Sequence, residues 1–210
     1  LDHYYKYNYL RGRKFDLVMF YEGINEARAN NCPDDVFRDD YSHYSWYRDV
    51  NIYARHPEIK YVLLPYVLDC LWVKILDRFM PPVVIPTHSP PPEWLDHGAK
   101  IKTAAAFRRN LERIVKLAEK KHERLLLMTF AFSIPADYTY ADFLAKRLDY
   151  ATHLCPIELW GKPENVRAAI MAHNAIIKDI AEQHSAAVLF IDQAALIPGG
   201  REYFNDICHL

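Results

Sequence analysis

Three short apolar runs separated by helical periods constrain this chain more than any other feature. Residues 15–21 (FDLVMFY) have strand length, are entered from Gly12 and are left at Gly23. Residues 125–130 (LLLMTF) follow the charged stretch 120–124, and residues 187–191 (AVLFI) are stopped by Asp192. Runs that are apolar on successive residues read as buried strands of a covered sheet. Between them, residues 104–120 place Phe107, Leu111, Ile114, Val115 and Ala118 on one face with Arg and Lys opposite. Residues 165–183 repeat the period with Val166, Ile170, His173, Ile177 and Ile180. Helix then strand, twice, predicts an α/β domain on a parallel sheet.

Residues 30–98 break that rhythm, because a crossover between parallel strands needs far fewer residues. They read as an insertion within a single domain of 210 residues. Inside it, Leu64, Leu68, Leu71, Ile75 and Phe79 recur at helical spacing around Pro65, a residue suited to a first helical turn. Two readings fit that helix: one packed on the domain, and one serving as an apolar lid over a substrate site. Pro81, Pro82, Pro86 and Pro90 to Pro92 then predict a stiff, extended connection.

Composition removes several function classes. Lys plus Arg (26) against Asp plus Glu (27) leaves a net charge of −1, which supplies no broad field toward nucleic acid or anionic lipid. Partners must therefore be recognised locally. With 6 glycines and no GxGxxG or GxxxxGK, no phosphate cradle is indicated, and no cofactor is expected. The 4 cysteines, at positions 32, 70, 155 and 208, form neither a CxxC pair nor a zinc-ligand spacing. No apolar stretch approaches the roughly 18 residues of a membrane span.

Two short motifs follow expected strands, at the end where open α/β sheets place their ligands. Gly23-Ile24-Asn25-Glu26 comes directly after residues 15–21: glycine permits a sharp turn off a strand, and an asparagine beyond it can aim amide N–H groups at a developing oxyanion. Asp206-Ile207-Cys208-His209 comes after residues 187–191. A carboxylate three residues before a histidine reaches one ring nitrogen within a turn, fixing the tautomer of a general base. Asp40-Tyr41-Ser42-His43 has the same DxxH spacing, so at least one of the two is a decoy. Position selects the later pair, which follows the last strand.

A strand followed by GxN[D/E], a helix and strand ending near Pro135, the helix NVRAAIMAHNAIIKDIAEQH, the strand AVLFID and then YFNDICHL together resemble the SGNH (GDSL-type) serine hydrolases. The match in order and context covers nearly all the chain outside the insertion. The resemblance implies a three-layer, flavodoxin-like α/β fold: a parallel sheet with helices on both faces. It also implies an ester hydrolase in which His209 is the base, Asp206 its orienter and Asn25 an oxyanion donor, while Gly23 shapes the turn. Glu26 stands where the family usually has aspartate. The implied substrate is a small-molecule, carbohydrate or lipid ester, and transfer of the acyl group to another hydroxyl is open on the same scaffold.

The chain departs from the family in one respect: no GDS motif occurs. Ser42, Ser45, Ser89, Ser133 and Ser185 have no adjacent glycine, and none sits at a strand-to-helix elbow before Gly23. The expectation is a chain cut from a longer protein at both ends, its first strand and nucleophilic serine lying upstream. Such a chain, left with unpaired strand edges, is expected to aggregate and to lack esterase activity by itself.

Two other classes of function stand beside this one. A non-catalytic domain could bind a glycan or a protein through Tyr41, Tyr44, Trp46, Tyr47, Tyr53, Trp72 and Trp94. A metal-dependent hydrolase would use His88, Asp96 and His97, which fit no established ligand pattern. His173, on an apolar helix face, reads as a hydrogen-bonded core histidine, and Cys208 as packing.

Overall fold

A computed structural model describes residues 2–10, 12–81, 92–148 and 160–210. Most of the proline-rich connection, together with Ser89 and His88, lies outside the described residues, as does Cys155.

The three apolar runs form the strands of one parallel sheet, in the order β1 (Leu17–Tyr21), β2 (Arg124–Met128), β3 (Val188–Ile191). Register pairs Val18 with Leu125 and Phe20 with Leu127, and these with Val188 and Phe190, so the six side chains share one face. Three helices cover that face: α1 (Asp2–Tyr9), α5 (Ala104–Lys121) and α7 (Pro163–Gln183). Tyr7, Phe107, Leu111, Ile114, Ile177 and Ile180 close the core against the sheet. Around it lie α2 (Ile24–Ala29), α3 (Ser45–Ala54), α4 (Leu64–Phe79), α6 (Tyr140–Leu144) and α8 (Gln193–Leu196).

The opposite face corrects the expectation of strands buried on both sides. In β1 only Phe20 is buried, while Leu17 and Met19 are 41% and 64% exposed; Leu189 and Ile191 of β3 are exposed on the same side. Alternation along a strand sends successive side chains to opposite faces, and the described residues supply a helical layer to one face only. β1 is also an edge strand of the described sheet. Its entry is fixed by the buried carboxylate of Glu123, which accepts from the Phe15 N–H at 3.0 Å and from the Tyr7 hydroxyl and pairs with the Lys121 ammonium at 3.1 Å. Glu123 is brought there by the stop of α5. His122 takes a left-handed φ of 54°, and the Glu123 N–H returns to the Ala118 carbonyl at 3.0 Å.

Within residues 30–98 the first part is core. Cys32, Val36, Tyr41 and Tyr44 bury against Ala29 and Ala106. The helix expected around Pro65 is present as α4, but its apolar positions do not pack on the domain. None of its residues is buried. Toward α3 and the turn after it, Arg48 pairs with Asp77, Asp69 accepts from Arg55 at 2.8 Å and from His56 at 3.0 Å, and the Tyr66 ring meets Tyr53 edge-on at 6.2 Å. Both carboxylates of the helix are therefore turned inward, together with the half-buried Tyr66, Val73 and Leu76. Among the described residues no helix is long and apolar enough to cross a membrane.

Candidate active site

Both motifs lie beyond the carboxyl ends of the parallel strands, at the same end of the sheet. Gly23 takes φ 145°, a conformation that side chains resist, and a Cβ there would meet Phe130 at 3.4 Å. The turn is held from behind by His173, whose Nδ1–H donates to the Gly23 carbonyl at 3.2 Å. Nε2 must then be the acceptor, and it takes the Thr103 hydroxyl at 2.9 Å. Burial pushes His173 down to about 4, so the ring stays neutral in this bridging role. His173 is thus the core histidine that its place on an apolar helix face implies.

The turn starts α2, which puts Asn25 in its first turn with the side chain exposed. Asn25 lines a cavity of about 320 Å³ together with Gly23, Glu26, Tyr44, Tyr47 and Phe130. Glu26 is buried beside it. Burial pushes its carboxyl up to about 7, and the charge of Glu22 adds to the shift. Sequence reading registered this residue only as a substitution for aspartate. The signal available was a glutamate three residues before Ala29, on the same helical face.

The second motif is a closed turn. The Asn205 N–H donates to the His209 carbonyl at 2.8 Å, and the Ser133 N–H donates to the Ile207 carbonyl at 2.9 Å, tying the turn to the segment after β2. The fully buried carboxylate of Asp206 accepts three hydrogen bonds: Cys208 N–H and His209 N–H at 2.8 Å on Oδ1, and His209 Nδ1–H at 2.6 Å on Oδ2. Burial pushes the Asp206 carboxyl upward, and these hydrogen bonds outweigh it, leaving the group below the usual carboxylate range. Because the carboxylate holds Nδ1–H, the His209 ring presents Nε2 as its basic atom, on a side chain 61% exposed. Cys208 is buried, as its reading as packing implies, with Sγ 3.5 Å from His209 Nδ1. The Asp206, Cys208 and His209 donor atoms lie within 4.8 Å of one another, a set that metals accept, but the ring nitrogen nearest the carboxylate is already hydrogen-bonded to it.

The fold brings the two motifs onto one apolar cluster. Ile24, Ala27, Phe130, Ile134, Ile207 and Cys208 pack together, and Tyr21 stacks on Phe130 at 4.9 Å while its hydroxyl accepts the Ala131 N–H at 3.2 Å. Asn174 of α7 clamps the same segment, accepting from Phe130 N–H at 2.7 Å and donating to its carbonyl at 2.9 Å. This clamp escaped the sequence reading, because an asparagine beside an apolar helix stripe carries no distinctive spacing. Asp206 and His209 do not line the cavity that Asn25 faces.

The other candidates disperse. Ser133 is buried, with Oγ accepting the Gly200 N–H at 2.8 Å, which suits it to bracing the DxxH turn rather than to attack. Tyr41 and Tyr44 are core, which leaves Tyr53 and Trp72 as exposed members of the proposed aromatic surface; nothing is described of the Trp46 side chain. Asp96 pairs with Lys162, the His97 carbonyl accepts from Lys102 at 2.7 Å, and His88 lies outside the described residues.

Comparison of the chain with protein-family models, with curated proteins and with solved structures finds no match to any of them.

Proposed function

We propose that this chain carries the base, its orienting carboxylate and an oxyanion donor of an SGNH (GDSL-type) serine hydrolase acting on an ester. The observation that carries the reading is the Asp206–His209 pair: a buried carboxylate on Nδ1 at 2.6 Å and an exposed ring beyond it. In this mechanism Nε2 of His209 takes the proton from a serine Oγ as that oxygen bonds to the ester carbonyl carbon. The oxyanion that forms accepts from the Asn25 side-chain amide. Collapse breaks the bond to the alcohol, which leaves with the proton held by His209. Water repeats the sequence on the acyl-enzyme and frees the acid. A second alcohol in place of that water gives acyl transfer.

The serine is proposed to lie outside these 210 residues, since none of the five within them stands beside a glycine at a strand end. The strand carrying it would add to the open edge of β1. A second helical layer would then cover Leu17, Met19, Leu189 and Ile191, completing the flavodoxin-like form. Exposed apolar residues on an unpaired parallel edge support this, because parallel sheets are ordinarily buried on both faces.

The test begins with the coding sequence in frame upstream of Leu1. A strand followed by Gly-Asp-Ser is expected there. The protein extended to include it should label with a fluorophosphonate at that serine, and His209→Ala should abolish the labelling. An intact start without such a motif, or an extended protein that neither labels nor turns over an activated acetyl ester, would overturn the proposal.

A further inference from the structure

The outward face of α4 combines three properties that point to one kind of surface. It is apolar: Leu64, Leu68, Leu71, Trp72, Ile75 and Phe79 are all exposed, at 50% or more, along a helix of 16 residues, about 24 Å. It is charge-sorted. Both carboxylates of the helix, Asp69 and Asp77, are turned inward onto Arg55, His56 and Arg48, whereas both cations, Lys74 and Arg78, lie on the exposed arc beside Leu71. It is also braced, since the inward ion pairs and the Tyr53–Tyr66 ring contact orient the helix on α3 without using these six exposed side chains.

We propose that this face of α4 docks on an anionic lipid surface, with the helix lying in the plane of the interface. Burial of the apolar arc among acyl chains supplies the attraction that any apolar partner would, and the two cations add selectivity for negatively charged headgroups. The local arrangement matters because the chain as a whole, at −1, is not drawn to such a surface. A second copy of the chain fits the face less well. Two such arcs brought together place four cations at one contact with no carboxylate from either helix to meet them. The inference is independent of the ester chemistry.

The experiment is flotation of the full chain through a density gradient with vesicles of phosphatidylcholine containing about a third phosphatidylserine, against phosphatidylcholine alone. Aggregates sink, so flotation reports lipid contact alone. The chain is expected to rise with the anionic vesicles, with Trp72 fluorescence quenched by brominated acyl chains and that quenching lost in Trp72→Phe. Leu71→Glu should abolish flotation. The double variant Lys74→Gln, Arg78→Gln, whose circular dichroism should match the parent, should weaken partition about thirtyfold, from about one kilocalorie per cationic side chain at the surface. Equal flotation of the double variant, no flotation of the parent, or a concentration-dependent dimer abolished by Leu71→Glu would overturn the proposal, the last in favour of a second copy. A protein recovered on α4 that excludes vesicles would overturn it likewise.

Discussion

Asp40 to His43 and Asp206 to His209 share a spacing and differ in everything that spacing does not specify. In the earlier segment the ring is the buried member. His43 Nδ1 accepts the Arg38 N–H at 3.1 Å, so the proton sits on Nε2, which faces the Ala29 carbonyl at 3.3 Å. Asp40 turns away and accepts the Ser42 N–H at 2.9 Å. In the later segment the carboxylate is the buried member, and it holds the ring by Nδ1. One histidine is spent on folding. The other has its hydrogen bond supplied from below and its second nitrogen directed outward. On the proposed reading, the motif at 206–209 acts as a base because the fold buries the acid and leaves the imidazole exposed.

The sharpest way to break this contrast is to remove each ring. In the extended protein, His209→Ala should lower kcat by about 10⁴-fold to 10⁶-fold, the loss typical of a triad base. In stability it should cost only the one hydrogen bond to the buried Asp206 carboxylate, about 1–3 kcal/mol, because the ring itself is exposed. Asp206→Asn should cost about 10⁴-fold, since an amide NH₂ facing Nδ1 reverses the tautomer. Asn25→Ala comes next, with a loss of about 10²-fold to 10³-fold in kcat. Steady-state kinetics on an activated ester check all three. A His209 variant within tenfold of the parent would remove the motif from the mechanism.

His43→Leu should do the reverse. It takes the acceptor from the Arg38 N–H and leaves the Ala29 carbonyl only the Cys32 thiol at 3.7 Å, at about 1–3 kcal/mol in all, while kcat stays within twofold. Denaturant unfolding measures the first effect and kinetics the second.

How much of this was legible in the sequence follows from the same physics. Strands and amphipathic helices were, because their signal is local periodicity: the run at 125–130 becomes Arg124–Met128, and 165–183 becomes Pro163–Gln183. The hydrogen bond between Asp206 and His209 was also legible, because the two are three residues apart and their bond lies within one turn. The exposure of Met19 and of Leu71 was not. A strand's composition does not say whether a layer covers both of its faces, and an amphipathic period does not say which way the helix turns. The ion pairs that turn α4 join residues 13 to 29 positions apart. Likewise the Asn174 clamp on Phe130 spans 44 positions and has no local trace.

Acidification separates the two histidine environments by a smaller amount. Burial holds His43 and His173 at about 4, against 6.5 in the unfolded chain. The unfolded state therefore binds more protons between those values, so stability is full above pH 6.5 and falls as pH drops toward 4. The slope is on the order of 1 kcal/mol per pH unit for each ring. Denaturant midpoints across that window should show the fall, and His43→Gln should flatten it by about half. A flat profile in the parent would mean that neither ring is held neutral by the core.

The smallest expected effect is the most discriminating. Asp40→Asn keeps an oxygen to accept the Ser42 N–H and touches no ring, so stability should move by less than about 0.5 kcal/mol and kcat not at all. The same single-atom exchange at Asp206 is expected to cost about four orders of magnitude in rate. Identical chemistry at identical spacing then yields opposite outcomes, and the difference lies in what surrounds the oxygen. At position 40 it is solvent and one amide. At position 206 it is a closed core with three donors aimed at a single carboxylate. If Asp40→Asn slowed turnover as Asp206→Asn does, spacing alone would be carrying the chemistry, and burial of the acid would not be what makes His209 a base.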